Sequence, residues 1–122
     1  MKRTILCLSF DQTVSASRRA ALEQAGYTVV AATGVPDALQ MLSSVSFDLL
    51  IVGHRFSSAD KHNLAVQARE KSTPVLLISG AAADPDIPAD IRVYALEGTA
   101  GLVATVAGFL PVTAAAARTT AA

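Results

Sequence analysis

The side chains of this chain that could do chemistry lie mostly where short apolar runs end. Ser9, Phe10 and Asp11 follow the first of these runs. Ser79 ends a later run, and Glu97 follows the last one. Carboxylates can bind Mg²⁺ or act as nucleophiles, and hydroxyl groups can donate to a phosphoryl oxygen. Chemistry in this protein would therefore depend on a fold that brings the ends of these runs together.

Other reactive residues show no spacing typical of a known catalytic or metal site. His54 has no metal-ligand spacing with His62 or with Cys7, the single cysteine. No nucleophile-elbow, phosphate-loop or dinucleotide-binding motif is present. Transfer chemistry at Ser79 or His54 would lack the base and the orienting group that it needs. We therefore expect no enzymatic activity and no resident metal or cofactor.

Composition narrows the class of protein. Apolar residues make up 52% of the 122 residues and charged residues 16%, which is typical of a globular domain with a buried sheet. Ten basic and ten acidic side chains cancel, and no basic block is longer than a pair, so nucleic acid is not an expected partner. No apolar run approaches the roughly 20 residues that span a bilayer. With one cysteine inside an apolar run, the chain is expected in the reducing cytoplasm, without a membrane partner.

Five continuous apolar runs predict five strands. The runs do not alternate apolar with polar residues, so both faces of the sheet should be covered, as in a parallel sheet. The predicted strands are Thr4 to Leu8, Tyr27 to Ala32, Leu49 to Val52, Val75 to Ile78 and Val93 to Leu96. Helices must then lie between them.

Helical spacing of apolar residues predicts the connections. The predicted helices are Thr13 to Gln24, Pro36 to Leu42, Asp60 to Lys71 with Asp60 as the N-cap, and Thr99 to Leu110 with Thr99 as the N-cap. The interval Gly80 to Arg92 contains Pro85 and Pro88, so a shortened or missing helix is expected there. This alternation predicts a single doubly wound α/β domain over residues 1–110, followed by an Ala/Thr-rich tail over residues 111–122.

The order of the elements is accompanied by five short segments of characteristic type and spacing. These are Thr4 to Asp11, Ala21 to Val30, Asp37 to Leu39, Phe47 to Leu50 and Pro74 to Gly80. In kind and spacing they resemble the receiver domain of bacterial two-component response regulators. The resemblance covers about residues 4 to 110 and implies a flavodoxin-like parallel sheet with strand order 2-1-3-4-5.

In that family two acidic residues hold Mg²⁺, an Asp accepts the phosphoryl group, and a Ser or Thr and a Lys complete the site. The resemblance places Ser9 and Phe10 at the acidic pair, Gly53 at the acceptor, Ser79 at the hydroxyl position and Glu97 at the lysine. Only Ser79 keeps its type. Glycine cannot be phosphorylated, phenylalanine cannot bind Mg²⁺, and glutamate repels a phosphoryl group. The resemblance thus implies a degenerate phospho-acceptor pocket.

Two further positions leave alternatives open. A shift of the alignment by one residue would bring Asp11 into the acidic pair and restore one carboxylate. Tyr94, three residues before Glu97, stands where the family often has an aromatic switch. It could serve as that switch, or it could be a half-buried strand residue with its hydroxyl at the surface.

The resemblance and the altered pocket together predict a role in signal transduction. The leading expectation is a module that binds a protein partner, either a signalling protein or a second copy of the chain, without phosphorylation. The alternative is a small-ligand sensor that holds a neutral or cationic metabolite in the altered pocket. A missing helix before the last strand should also uncover apolar surface around Val93, Ala95, Val103 and Val106. We expect a partner or a homodimer, rather than the tail, to cover it.

Overall fold

The elements of the fold alternate along the chain. The computed structural model describes residues 3–80 and 87–111. In chain order the elements are β1 (Thr4–Leu8), α1 (Gln12–Gln24), β2 (Thr28–Ala32), α2 (Val35–Ser44), β3 (Leu49–Val52), α3 (Ser58–Glu70), β4 (Val75–Ser79), β5 (Ile91–Tyr94) and α4 (Gly98–Phe109). A 3₁₀ turn, Ala95–Glu97, joins β5 to α4. None of the helices in this part of the chain is long and apolar enough to cross a bilayer.

The five strands pair in parallel in the order β2-β1-β3-β4-β5, which confirms the predicted flavodoxin-like sheet. β1 pairs with β2 on one side and with β3 on the other, so Leu8 lies between Ala32 and Val52. β2 is thus on one side of β1, and β3, β4 and β5 follow on the other side, so the direction of strand addition reverses at β1. In open parallel sheets, ligands bind outside the carboxyl ends of the strands at such a point. The ends of β1 and β3 are therefore the place to expect a site.

Two hydrophobic clusters cover the two faces of the sheet. Leu6 and Leu8 of β1 join the cluster under α2 and α3, whereas Ile5 and Cys7 join the cluster under α1 and α4. β3 and β4 are buried at every position. Burial on both faces is what their continuous apolar sequences predict.

The apolar surface expected on β5 and α4 is largely closed. Val93 is 3% exposed and Val106 is fully buried, because α4 packs across β5 and against α1. Ala95 and Val103 are partly buried against the same cluster. The expectation of an uncovered face was therefore wrong for Val93 and Val106.

The connection from β4 to β5 has no helix in its described part, residues 87–90. Asp90 joins it to the sheet: its carboxylate accepts the N–H of Val75 at 2.8 Å, and its own N–H donates to the Val75 carbonyl at 2.9 Å. Ile87 is buried in the core. Residues 81–86, with Pro85, lie outside the described residues, as does the tail from residue 112 onward.

The start of α3 differs from the prediction. Its N-cap is Ser57, whose Oγ accepts the backbone N–H of Asp60 at 3.1 Å. Asp60 instead lies in the first turn of α3, where its negative charge interacts favourably with the positive end of the helix dipole. Serine and aspartate are both good N-caps, so residue type alone did not decide between them.

The join between β5 and α4 also differs. β5 ends at Tyr94 because the next three residues form the 3₁₀ turn, in which the Glu97 carboxylate accepts the Tyr94 N–H at 3.3 Å. α4 then begins at Gly98, so Thr99 is not its N-cap. Gly98 has a φ of +70°, a conformation that glycine adopts without strain.

Candidate functional site

Ser9 and Gly53 lie side by side where β1 and β3 end. The N–H of Gly53 donates to the Leu8 carbonyl at 2.8 Å, which continues the parallel ladder by one residue. Both residues are buried. A Cβ atom at position 53 would lie 3.3 Å from the Leu8 carbonyl oxygen and 3.4 Å from Ser9 Cα. The structure thus brings together two of the positions that the family resemblance had assigned to the phospho-acceptor pocket.

The guanidinium of Arg18 fills the space next to this pair. Its Nη1 donates to Ser9 Oγ at 2.9 Å and would lie 3.4 Å from a Cβ atom at position 53. The Arg18 side chain is half-buried. Within residues 3–80 and 87–111, no carboxylate lies within ion-pair distance of it. A cation therefore lies directly beside Ser9 and Gly53 at the carboxyl ends of β1 and β3.

The sequence analysis missed Arg18, although a signal was present. Arg18 stands three residues after Ser15 and four before Leu22, the two buried residues of α1, so it lies on the inward stripe of the helix. Burial lowers the pKa of Arg18, and the nearby Cys7 opposes this. The guanidinium nevertheless stays protonated at neutral pH, as arginine does in proteins.

Cys7 is buried next to Ser9, and its place within an apolar run predicted this burial. Its Sγ is 4.0 Å from Ser9 Oγ, in the buried core. Burial raises the pKa of the Cys7 thiol, although the contact with Ser9 and the charge of Arg18 both oppose the rise. Neutral thiols are poor nucleophiles and poor metal ligands, so Cys7 serves packing.

His54 follows Gly53 in the chain and lines the same space as Ser9 and Arg18. Its ring packs against Gly80, where an added Cβ atom would come within 2.9 Å of His54 Cδ2. Burial lowers the pKa of His54, and the positive charges of Arg18, Arg55 and Lys61 lower it further. The buried Nδ1 has no hydrogen-bond partner among the described residues. Because its pKa is lowered, this imidazole is uncharged at neutral pH, and its unprotonated ring nitrogen can accept a hydrogen bond from a ligand.

Phe10 and Asp11 lie at the exposed rim of the space over Ser9 and Gly53. Phe10 is 62% exposed; its ring packs edge-on against Phe56 at 5.7 Å between centroids and lies 5.8 Å from the guanidinium carbon of Arg55. Asp11 is the N-cap of α1, with Oδ1 accepting the N–H of Thr13 at 2.7 Å. The one-residue shift would thus supply a carboxylate that already caps a helix.

Ser79, Tyr94 and Glu97 lie on the other half of the sheet edge. Ser79 is buried at the end of β4, beside Tyr94 in the β4–β5 register. The Tyr94 side chain is 66% exposed, more than a half-buried strand residue would be. Glu97 is exposed, and its carboxylate turns back to the Tyr94 N–H. The structure therefore does not bring Glu97 to Ser9 and Gly53.

Two cavities open on either side of Arg18 and His54. The first, of about 370 Å³, lies between α1, the ends of β4 and β5, and the start of α4; we call it the α1–α4 cavity. The second, of about 270 Å³, lies over Ser9 and Gly53; we call it the β1–β3 cavity. Val14, Arg18 and His54 line both. The Arg18 charge is thus available to either cavity.

Comparison with solved structures finds response regulators and their receiver domains among the similar chains. A response regulator receiver protein from Sinorhizobium medicae is 27% identical, with a TM-score of 0.78 over 89% of this chain and 94% of that chain. The chemotaxis response regulator CheY4 of Vibrio cholerae is 18% identical, with a TM-score of 0.75 over 90% of this chain and 100% of that chain. This chain has the receiver-domain fold.

A two-component response regulator from Clostridium difficile is similar to this chain to the same degree. The two are 18% identical, with a TM-score of 0.76 over 89% of this chain and 96% of that chain. No protein-family model and no curated protein sequence matches. The likeness therefore rests on the fold that these residues build, and the chemistry must be argued from the pocket itself.

The pocket does not fit the Mg²⁺ ion that receivers with an acidic pair hold. Mg²⁺ requires oxygen ligands, carboxylates above all. Ser9 offers a hydroxyl that already accepts from Arg18, and Gly53 offers no side chain. A guanidinium at this place would repel a divalent cation. In the described ranges, no three His, Cys, Asp or Glu side chains converge as metal ligands.

Proposed function

We propose that this domain is a degenerate receiver that acts in signal transduction by binding a protein partner without being phosphorylated. The receiver-domain fold supports a signalling role, and receiver domains are generally signalling modules rather than enzymes. The observation that carries the proposal is the Arg18 guanidinium hydrogen-bonded to Ser9 beside Gly53.

The chemistry of the pocket supports independence from phosphorylation. Transfer of a phosphoryl group to a receiver needs a carboxylate nucleophile and cations that neutralise the phosphoryl oxygens in a fixed geometry. Position 53 has no side chain, and the adjacent Arg18 guanidinium already donates to Ser9. A domain built this way would present the same surface to its partner whether or not phosphodonors are present.

The carboxyl edge of the sheet is the surface that best supports partner binding. Phe10 and Tyr94 are the two most exposed large apolar side chains among the described residues, and Arg55 lies over the Phe10 ring. Aromatic side chains and arginine carry much of the binding energy in protein interfaces. We therefore place the proposed docking surface at Phe10, Arg55 and Tyr94.

The phosphorylation half of the proposal is tested with acetyl phosphate or beryllofluoride and Mg²⁺. We expect no acyl phosphate and no Mg²⁺-dependent change in amide NMR shifts around Gly53. The Gly53→Asp variant should also stay unmodified, because the new carboxylate would pair with Arg18, whose Nη1 is 3.4 Å from the Cβ position. Hydroxylamine-labile phosphate on the native chain, or efficient labelling of this single variant, would contradict the proposal.

The informative positive control is a stepwise rebuild of the site. It would combine Ser9→Asp, Phe10→Asp, Gly53→Asp and Glu97→Lys, each tested with and without Arg18→Ala. We expect Mg²⁺-dependent labelling only when the carboxylates are present and Arg18 is gone. Labelling that is indifferent to Arg18 would show that the guanidinium does not block the pocket.

The partner half is tested by co-purification from the source organism. The native domain should retain a specific protein, and the Phe10→Ala, Tyr94→Ala double variant should lose it. Val45→Ala is the matched control, because Val45 is also exposed but lies after α2, at the opposite edge of the sheet. Equal recovery with all three baits would reject this docking surface.

A further inference from the structure

The positive charge of Arg18 has no negatively charged partner among the described residues. Only one of its nitrogens, Nη1, has a protein partner among the described residues, and that partner is the neutral hydroxyl of Ser9. The edge formed by Nε and Nη2 therefore remains available. Partly burying a charge costs free energy unless an opposite charge or further hydrogen bonds compensate it. A bound anion would supply both at once, since a carboxylate matches the guanidinium edge with two parallel hydrogen bonds.

The α1–α4 cavity next to Arg18 has the size and lining of a small-molecule site. Its volume of about 370 Å³ is within the usual range for ligand pockets, which begins at about 300 Å³. Its apolar lining combines nearly buried side chains with exposed ones: Ile78, Val93 and Leu102 are buried, and Val14 and Tyr94 are exposed. The hydroxyl-bearing residues Thr13 and Ser17 of α1 face the same space. A mostly apolar pocket with a few polar groups is typical of sites for organic ligands.

The start of α4 also lines this cavity. Gly98 and Thr99 line it, and α4 has no side-chain N-cap. The uncapped N–H groups of a helix's first turn, together with its dipole, favour negative charge. Glu97 does not line the cavity, but its Oε1 lies 3.3 Å from the Cβ position of Gly101 in the first turn of α4, so its charge offsets part of this effect.

We infer that the α1–α4 cavity binds a small organic carboxylate. Its acidic group pairs with the free edge of Arg18, and its apolar body lies against the exposed side chains of Val14 and Tyr94. This occupant has the opposite charge to the neutral or cationic metabolite expected from sequence, because that expectation did not include Arg18. The inference does not require the proposed protein-partner role, although Tyr94 lines this cavity and also belongs to the proposed docking surface.

The test uses benzoate as a probe and benzamide as its uncharged counterpart of the same shape. ¹⁵N-labelled protein is titrated with each at constant ionic strength. Benzoate should shift the amide signals of Ser17, Arg18 and Thr99 and bind at least about tenfold more tightly than benzamide. Equal affinities, or no saturable shifts with benzoate, would overturn the inference without needing any variant.

Two arginine variants on one helix provide the matched comparison. Arg18→Gln should weaken benzoate binding by about tenfold or more, and Arg18→Lys should retain part of it. Arg19→Gln should leave it unchanged, because Arg19 is exposed and its Nε is 3.2 Å from Glu23 Oε2. Equal losses in the Arg18 and Arg19 variants would overturn the inference, because they would reveal a general effect of positive charge.

Inorganic phosphate distinguishes an organic-acid site from a simple oxyanion site. Phosphate carries the charge but has no apolar body to contact Val14 and Tyr94. We therefore expect it to bind more weakly than benzoate. Phosphate binding as tight as that of benzoate, with the same amide shifts, would overturn the assignment to an organic carboxylate.

Discussion

The interior of the sheet and its carboxyl edge follow different rules. In the interior, β3 and β4 are buried at every position, and their side chains pack as a doubly wound fold requires. At the edge, the Arg18 guanidinium reaches into the space beside Gly53 and donates a hydrogen bond to Ser9. The difference teaches that the buried side chains of the strands build the core, whereas the exposed edge residues Phe10 and Asp11 contribute little to it.

The prediction with the largest expected effect compares the loss of one interior side chain with the loss of one edge side chain. Leu50 is fully buried in β3, so Leu50→Ala should lower the free energy of unfolding by about 2–5 kcal/mol. Phe10→Ala should lower it by less than about 1 kcal/mol, since the ring is mostly exposed and keeps only its contacts with Phe56 and Arg55. Urea denaturation of both variants measures the difference, and comparable losses would break the contrast.

A smaller effect tests whether Asp11 caps a helix or serves the pocket. Asp11→Ala removes the acceptor for Thr13 N–H and should cost about 1 kcal/mol of unfolding free energy. Asp11→Asn should restore most of that loss, because asparagine caps as well as aspartate. Ser57→Ala, which removes the N-cap of α3, is the matched control and should cost a similar amount. If Asp11→Asn were as damaging as Asp11→Ala, the carboxylate charge would have a role beyond capping.

The smallest effect concerns His54 and pH. Because its folded-state pKa is lowered, the unfolded chain binds more protons than the folded chain as pH falls through the ordinary range of histidine. His54 therefore contributes a loss of stability on acidification, and His54→Gln should make the dependence of unfolding free energy on pH shallower between about pH 7 and pH 5. His62→Gln, at an exposed position on α3, is the control. An unchanged slope in His54→Gln would contradict the assignment.

The strands could be predicted because burial on both faces leaves a continuous apolar sequence. The runs at β1 and β3 coincide with the observed strands, and the others differ by one or a few residues. The end of β5 was misplaced because Ala95 and Leu96 are apolar yet begin a 3₁₀ turn. Apolar composition reports burial, and it does not distinguish a strand from the turn that follows it.

The site could be predicted only in part. The resemblance placed Ser9 and Gly53 together from their positions after two apolar runs, because neighbouring parallel strands end at one edge. Arg18 was not found, since a charged residue on a helix is ordinarily assigned to solvent. Its place on the inward stripe of α1 was visible, but only the fold shows that the end of this stripe meets the pocket. Glu97 was expected at the pocket, and the 3₁₀ turn directs it elsewhere.

The buried position of Cys7 has a practical consequence for spectroscopy. Thiol-directed dyes and spin labels react with thiolates that solvent can reach, and Cys7 is a fully buried thiol with a raised pKa. A cysteine introduced by Val45→Cys, at an exposed site, would therefore accept a label while the native cysteine stays in place. The domain can in this way carry a single reporter at a chosen position with its native core sequence intact.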